Sequence, residues 1–123
     1  MKIIKKEDSL HIEKPEGLDV CYYLRPEYEV HYNVQAPRTS QIWHHHEKVW
    51  ETLFIIEGEL LAKWRENGKT REQLVKAGDL IESGATPHTF FNNSGQEVKF
   101  LVIKQILDGN SKKGILRDDK VLD

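Results

Sequence analysis

The fold of this chain is decided by residues 44–58, which read HHHEKVWETLFIIEG. His44 and His46 are two positions apart, and on a β-strand residues i and i+2 point to the same side. Two rises of about 3.3 Å put their Cα atoms roughly 6.6 Å apart, a span from which two imidazoles can bind one metal ion. The stretch therefore predicts a strand that carries a pair of converging histidines.

Two further side chains can complete a metal site with this pair. Glu51 follows His46 by five residues, beyond a charged corner at residues 47–48. If that corner turns between neighbouring antiparallel strands, Glu51 returns beside the two rings. His88 opens another short strand directly after a proline. Three imidazoles and one carboxylate suit iron, manganese, nickel, zinc or copper more than calcium or magnesium.

Each of these pieces also has an ordinary structural explanation. A His-x-His pair on a strand is more often a surface or core feature than a ligand pair. A lone glutamate in a strand usually lies at an edge, and a histidine after a proline is usually a turn residue. Only their combination indicates a metal site.

Alternation and turn residues predict more strands on both sides of this stretch. Residues 28–35 alternate apolar and polar side chains, which is the period of a half-buried strand. Asn67-Gly68 lies between two alternating segments and is a strong hairpin signal, because both residue types accept positive φ. Further strands are predicted at residues 41–46, 49–56, 59–65, 70–76, 80–81, 88–92 and 97–107. Many short strands without a convincing amphipathic helix predict an all-β sandwich or barrel.

The length of 123 residues corresponds to a single domain. We expect residues 1–27 to form an N-terminal segment that packs on the barrel and residues 28–107 to form the barrel itself. Residues 108–123 form a C-terminal tail whose structure the sequence does not indicate.

The composition excludes several classes of function. The 18 basic and 20 acidic side chains give a net charge of −2, so there is no large positive field for nucleic acid. The longest aliphatic or aromatic runs are four residues, against the roughly 20 needed to span a bilayer. The basic start lacks the apolar region of an export signal, and the single cysteine, Cys21, agrees with a reducing compartment. We therefore expect a cytoplasmic protein without membrane or nucleic-acid partners.

Taken together, these residues resemble the two sequence motifs of the cupin superfamily. The first motif reads His-x-His, three or four residues, Glu, six residues, Gly, and this chain meets it at His44, His46, Glu51 and Gly58. The second reads Gly, a run containing Pro and Gly, His, three residues, Asn, and is met at Gly78, Gly84, Pro87, His88 and Asn92. The stretch from residue 78 to residue 88 is one residue shorter than usual, and Ser83-Gly84 stands where Pro-Pro or Pro-x-Gly is common.

The resemblance covers residues 28–107 and implies a cupin-type jelly-roll β-barrel. It also implies that one divalent transition metal ion (iron, manganese, nickel or zinc) is bound inside by His44, His46, Glu51 and His88. Many members of the superfamily are homodimers, so a homodimer is expected here.

Strand phase predicts which other side chains share the cavity with these ligands. The expected lining is mostly apolar and aromatic and comprises Tyr32, Ile42, Leu53, Ile55, Phe90 and Phe100, of which Phe90 and Phe100 are better explained as core residues. Trp43, His45 and Trp50 lie on the opposite face by phase, which is either a dimer surface or is covered by the N-terminal segment. Asn92 is expected to fix the end of its strand through side-chain hydrogen bonds.

These features predict a metal centre that acts on, or binds, a small organic molecule. Four protein ligands leave one or two positions open on an ion that accepts five or six. Dioxygenase-type chemistry is the first expectation. Isomerase or lyase chemistry, and a binding protein that senses or stores a ligand without turnover, need the same pocket and stay open. The sequence identifies no general base.

Overall fold

The computed structural model describes residues 1–106 and 119–123, which form twelve β-strands and a short 3₁₀ turn at Lys6–Asp8. In chain order the strands are β1 (Leu10–Lys14), β2 (Leu18–Leu24), β3 (Tyr28–Gln35), β4 (Thr39–Ser40), β5 (His44–His46), β6 (Trp50–Glu57), β7 (Glu59–Glu66), β8 (Lys69–Lys76), β9 (Leu80–Glu82), β10 (His88–Asn92), β11 (Val98–Gln105) and β12 (Lys120–Leu122).

The strands form two antiparallel sheets that enclose one interior. The first sheet has the order β1-β2-β3-β11-β6-β9, and the second has the order β12-β5-β10-β7-β8 with β4 paired to β10. Consecutive strands such as β5 and β6 lie in different sheets, so the chain passes repeatedly from one sheet to the other. This is the predicted all-β jelly-roll barrel. Among the described residues, none belongs to a helix long and apolar enough to cross a bilayer.

Most of the strands that alternation predicts are present within a residue or two of the expected bounds. The hairpin prediction at Asn67-Gly68 is confirmed, because both residues have positive φ, 51° and 75°, and Glu66 pairs with Lys69 across a two-residue loop. Gly58 also has a positive φ of 88°, and a Cβ atom there would lie 3.0 Å from Val98 Cγ2. Its place between β6 and β7 therefore requires glycine.

The sequence did not indicate the strands at the two ends of the chain. Within the N-terminal segment, β1 and β2 extend the first sheet beyond β3. At the other end, β12 pairs with β5, the strand of the three histidines. Leu107, the last residue of the predicted final strand, and residues 108–118 of the tail lie outside the described part of the chain.

Strand β3 is present as predicted, but Tyr32 does not lie on its inner face. Instead Glu29, His31, Asn33 and Gln35 are each at most 7% exposed. These polar groups find partners inside the barrel: Gln35 donates to the carbonyl oxygens of Thr39 and Phe90, and His31 contacts Glu29. The inner face of β3 is therefore polar, and its outer face is apolar.

The apolar core joins the two sheets. Its most deeply buried members include Leu53 and Ile55 of β6, Leu60 of β7, Phe90 of β10 and Phe100 of β11, each at most 2% exposed. Full burial of one such side chain contributes about 1.5–3 kcal/mol to folding. The barrel therefore has a hydrophobic core to which none of its histidines belongs.

Asn92 fixes the end of β10, as its side chain was predicted to do. Its Nδ2 atom donates to the carbonyl oxygens of Gln35, Ala36 and Gln96, at 3.2, 3.1 and 2.8 Å. Its Oδ1 atom accepts from the backbone N–H and the hydroxyl of Ser94. One fully buried amide thus connects β10 to the end of β3 and to the following turn.

Replacing Asn92 with alanine is expected to lower the free energy of unfolding by about 2–3 kcal/mol, because the buried carbonyls lose their donor. The matched control is Asn93→Ala, which removes only the exposed contact between Asn93 Oδ1 and Arg38 and should change stability by less than about 0.5 kcal/mol. Urea denaturation of both variants measures the difference. Equal losses would contradict the role assigned to Asn92.

Candidate metal centre

The four predicted ligands come from both sheets and meet inside the barrel. His44 and His46 lie on β5 and His88 lies opposite His44 on β10, all in the second sheet. Glu51 lies on β6 in the first sheet. The corner at residues 47–48 therefore does not join neighbouring strands as expected; it carries the chain between sheets, and Glu51 faces the histidines across the interior.

The distances among these side chains are those of one compact group. Ligand atoms of His44, His46 and Glu51 all lie within 4.8 Å of one another. Glu51 Oε2 is 2.9 Å from His46 Nε2, and Glu51 Oε1 is 3.2 Å from His88 Nε2. The His44 and His88 ring centroids are 4.5 Å apart. All four residues are at most 5% exposed.

Backbone carbonyls orient two of the imidazoles. His44 Nδ1 is 2.7 Å from the carbonyl oxygen of Ile42, and His88 Nδ1 is 2.6 Å from that of Thr86. Because a carbonyl oxygen can only accept, each Nδ1 must carry the proton and donate it. In the neutral rings, Nε2 then keeps a free lone pair, and this is the arrangement that supports histidine ligands in metal sites.

His46 supplies the observation that tests whether a metal fits. Both of its ring nitrogens are buried and have no hydrogen-bond partner in residues 1–106 and 119–123. The 2.9 Å approach of Nε2 to Glu51 does not have the angles of a hydrogen bond, and Nδ1 is 3.8 Å from Asp119 Oδ2. Buried polar atoms are rarely left unpaired. A cation between His46 Nε2 and Glu51 would give that nitrogen and the carboxylate a partner, so the donor set fits a metal ion.

The charge states of the group also suit a cation. Burial alone would raise the pKa of Glu51, but the contacts with His46 and His88 and the charge of Lys104 outweigh it and hold the pKa well below its usual value. Burial lowers the pKa of His44 to about 3, against an opposing hydrogen bond to Ile42. At neutral pH the carboxylate is thus ionised and the imidazole neutral, as metal binding requires.

A cavity of about 230 Å³ lies next to the group and includes His44 and Glu51 in its wall. On the first sheet, its inner surface carries three charged residues in one row: Glu29 of β3 pairs with Lys104 of β11, which pairs with Glu51 of β6. The next rows contain His31, Val102 and Leu53, and then Asn33, Phe100 and Ile55. On β11 and β6 the inner face therefore changes from charged to apolar along the strands, whereas on β3 it stays polar.

Sequence reasoning missed Glu29, His31 and Lys104 as site residues. The His31 Nε2 atom lies 2.9 Å from Glu29 Oε1, and both side chains are buried. The signal was present, because Glu29 and His31 have the same i, i+2 spacing as His44 and His46. It could not be used without knowing that the polar face of β3 points inward.

The structure separates the six side chains predicted to line the cavity. Leu53 and Phe100 do line it. Ile55 is fully buried in the core, and Phe90 packs there with its ring centroid 5.5 Å from that of His88. The expectations for Tyr32 and Ile42 are wrong. Tyr32 borders grooves on the outer surface. Ile42 is 49% exposed, because the strand begins only at His44 and its period does not extend back to residue 42.

The aromatic face opposite the ligands is covered in part by the chain itself. The Trp43 ring lies 4.4 Å from the Arg65 guanidinium, and Trp50 Nε1 donates to Glu82. His45 Nδ1 is 2.7 Å from Asp123 Oδ2, and His45 pairs with Val121 of β12. The cover at His45 therefore comes from the C-terminal strand and not from the N-terminal segment.

The comparison with protein families decides the classification. The cupin domain model matches residues 30–104, which is more than half of the chain. This chain belongs to the cupin family. The stretch from residue 78 to residue 88, one residue shorter than usual, still brings His88 into the ligand group, with Nε2 3.2 Å from Glu51 Oε1. Within this stretch the Ser83 hydroxyl donates to Glu51 Oε1 at 3.3 Å.

Solved structures with the same fold include enzymes that this cupin resembles at low sequence identity. An oxalate decarboxylase of Lactobacillus farciminis in complex with formate has a TM-score of 0.75 and 18% identity, over 97% of this chain and 35% of that chain. An oxalate decarboxylase of B. subtilis has a TM-score of 0.77 and 13% identity, over 97% of this chain and 31% of that chain. An oxalate oxidase has a TM-score of 0.69 and 19% identity, over 85% of this chain and 59% of that chain. This chain thus spans about a third of the decarboxylases' length, and the likeness shows the fold alone. No curated protein sequence gives a significant match.

The His46→Ala variant is expected to lose the metal and keep the fold, because His46 is not part of the apolar core. His45→Ala is the matched control, since the neighbouring ring points to the outside and contacts Asp123. Metal content of protein purified without a nickel column, together with thermal melting of the metal-free forms, measures both effects. If His46→Ala unfolds outright while His45→Ala does not, the site is structural and not an open centre.

Proposed function

We propose that this cupin is a metal-dependent enzyme that acts on a small organic molecule, with dioxygenase-type chemistry. The observation that carries the proposal is the buried set of His44, His46, Glu51 and His88 next to a cavity that can admit a ligand. Three imidazoles and a carboxylate suit iron or manganese as well as nickel or zinc. Four protein ligands leave one or two positions for an exogenous molecule.

The bound ion would polarise a substrate oxygen or, if it is iron, activate dioxygen. The protein's own contribution is to hold the ion through four fixed side chains, to keep the cavity small, and to handle protons. Leu53 and Phe100 give the cavity an apolar wall beside the charged row. A wall of this kind limits water near the reacting atoms.

His31 is the side chain best placed to accept a proton from a molecule in the cavity. It lines the cavity together with His44 and Glu51. Burial lowers its pKa, although the hydrogen bond with Glu29 opposes the shift. The ring is therefore neutral at neutral pH, and Glu29 can stabilise the imidazolium that forms when the ring takes up a proton.

The proposal is tested by oxygen uptake of iron-loaded and manganese-loaded protein with catechols, thiols and diketones. Substrate-dependent uptake is the expected result. Product formation without oxygen uptake would replace the proposal with isomerase or lyase chemistry. Saturable binding without any product would replace it with a non-catalytic sensor or storage role.

A second arm of the same experiment uses His31→Gln. Loss of a proton acceptor is expected to lower turnover by about 10²–10⁴-fold while the metal content stays at the wild-type level. His11→Gln is the control, because His11 is exposed on β1 and contacts Asp19. Unchanged turnover in His31→Gln would remove His31 from the mechanism.

We also propose that the protein is a homodimer in the cytoplasm. The support for a dimer is an apolar row on the outer face of the first sheet, where Tyr32, Leu101, Phe54 and Leu80 are neighbours in register on four strands. Phe54 and Leu80 are 39% and 60% exposed. Contiguous exposed apolar surface of this kind is typical of protein interfaces.

The support for the location is that the single cysteine, Cys21, is buried and unpaired.

Phe54→Glu is expected to convert the dimer to a monomer, because a charge would be buried at the centre of the interface. Leu74→Glu is the control, since Leu74 is 45% exposed on β8 of the other sheet. Light scattering after size exclusion measures the mass. If the wild-type protein has the mass of one chain, 14.4 kDa, at micromolar concentration, the dimer is excluded.

A further inference from the structure

Three lysines from three strands converge on the cavity beside the metal ligands. Lys14 of β1, Lys104 of β11 and Lys120 of β12 all line it. Lys104 is the most enclosed, with a side chain that is 12% exposed and an Nζ atom 4.0 Å from Glu51 Oε2. Lys14 lies with its Nζ atom 5.7 Å from the centre of the Tyr22 ring, and Lys120 is at the exposed mouth.

The balance of charge in the cavity wall is positive. Against the three lysines stand two carboxylates, Glu29 and Glu51, so the wall has one excess positive charge. A divalent ion on His44, His46, Glu51 and His88 would raise this excess to three. Like charges brought together in a partly buried space repel one another, and an anion in their midst removes that cost.

Lys104 is not explained as a simple counter-ion of Glu51. Glu51 already contacts His46 and His88, and it would share its charge with the metal. The Lys104 side chain is only 12% exposed and lies in the cavity wall. Enclosing a lysine in this way costs stability, and such a group at the wall of a cavity indicates a binding role.

We propose that the ligand of this cavity is a short organic acid whose carboxylate is held by Lys104, with Lys14 and Lys120 closing the mouth around it. The proposal rests on the proposed function, because a second oxygen of the same molecule occupies an open position of the metal. A short hydroxy acid or keto acid offers both groups. The cavity of about 230 Å³ is smaller than the roughly 300–1,000 Å³ of pockets for drug-sized ligands, so it favours an acid smaller than such ligands.

The test measures binding without turnover. Zinc-loaded protein is titrated calorimetrically with lactate and with lactamide, which has the same shape but no charge. Lactate is expected to bind about tenfold or more tightly, because a hydrogen bond to a charged group is lost with the amide. In Lys104→Met the preference for lactate is expected to disappear while the zinc content stays the same. Lys99→Met is the matched control on the same strand, since Lys99 pairs with Glu57 on the outer face.

Three results would overturn the proposal: equal affinity for lactate and lactamide, an unchanged preference in Lys104→Met, or inorganic phosphate binding more tightly than lactate. If Lys104→Met does not fold, Lys120→Met at the mouth is tested instead. A reduced preference for lactate over lactamide is then expected, and an unchanged preference would contradict the proposal. If the protein takes up no zinc, the metal-dependent function fails. The same titrations of metal-free protein then test the carboxylate site by itself. A preference for lactate that Lys104→Met abolishes would support that site without the metal.

Discussion

A carboxylate held inside the barrel, Glu51, is the constraint on which the rest of the site depends. An ionised carboxylate is costly to bury unless other charges and hydrogen bonds compensate, and Glu51 is only 4% exposed. His46, His88 and Lys104 surround it. Because the Nδ1 atoms of His44 and His88 donate to backbone carbonyls, the Nε2 lone pairs of these rings remain for a cation. The same cation would bind Glu51 and His46 Nε2, a nitrogen that has no hydrogen-bond partner in the described part of the chain.

The inner face of the first sheet separates the chemistry of the protein from its stability. One row across three strands carries Glu29, Lys104 and Glu51, whereas two rows further along the same strands carry Asn33, Phe100 and Ile55. The apolar end supplies the burial that stabilises the barrel. At the charged end, desolvation of the charged side chains lowers the stability of the fold, and the same side chains form a site that can bind an ion and its ligand. One sheet can therefore carry the stabilising core and the binding site at different positions along its strands.

Sequence reasoning succeeded where the signal is local. The hairpin at Asn67-Gly68 follows from positive φ, and the shared face of His44 and His46 follows from the period of a strand. It failed for Tyr32 and Ile42, and it missed His31 and Lys104. Alternation shows that the two faces of a strand differ, but it does not show which face is inside when the outer face is apolar and the interior holds a polar cavity.

The sequence alone determined the all-β class, the cupin motifs and the four residues that meet in the barrel, because residue type and short spacing carry that information. Only the tertiary structure decided that Glu51 approaches the histidines from the opposite sheet, and that Glu29, His31 and Lys104 belong to the same cavity. The physical reason is that several strands which are consecutive in the chain, such as β5 and β6, lie in different sheets. Which side chains face one another then depends on how the two sheets pack, and no local pattern encodes it.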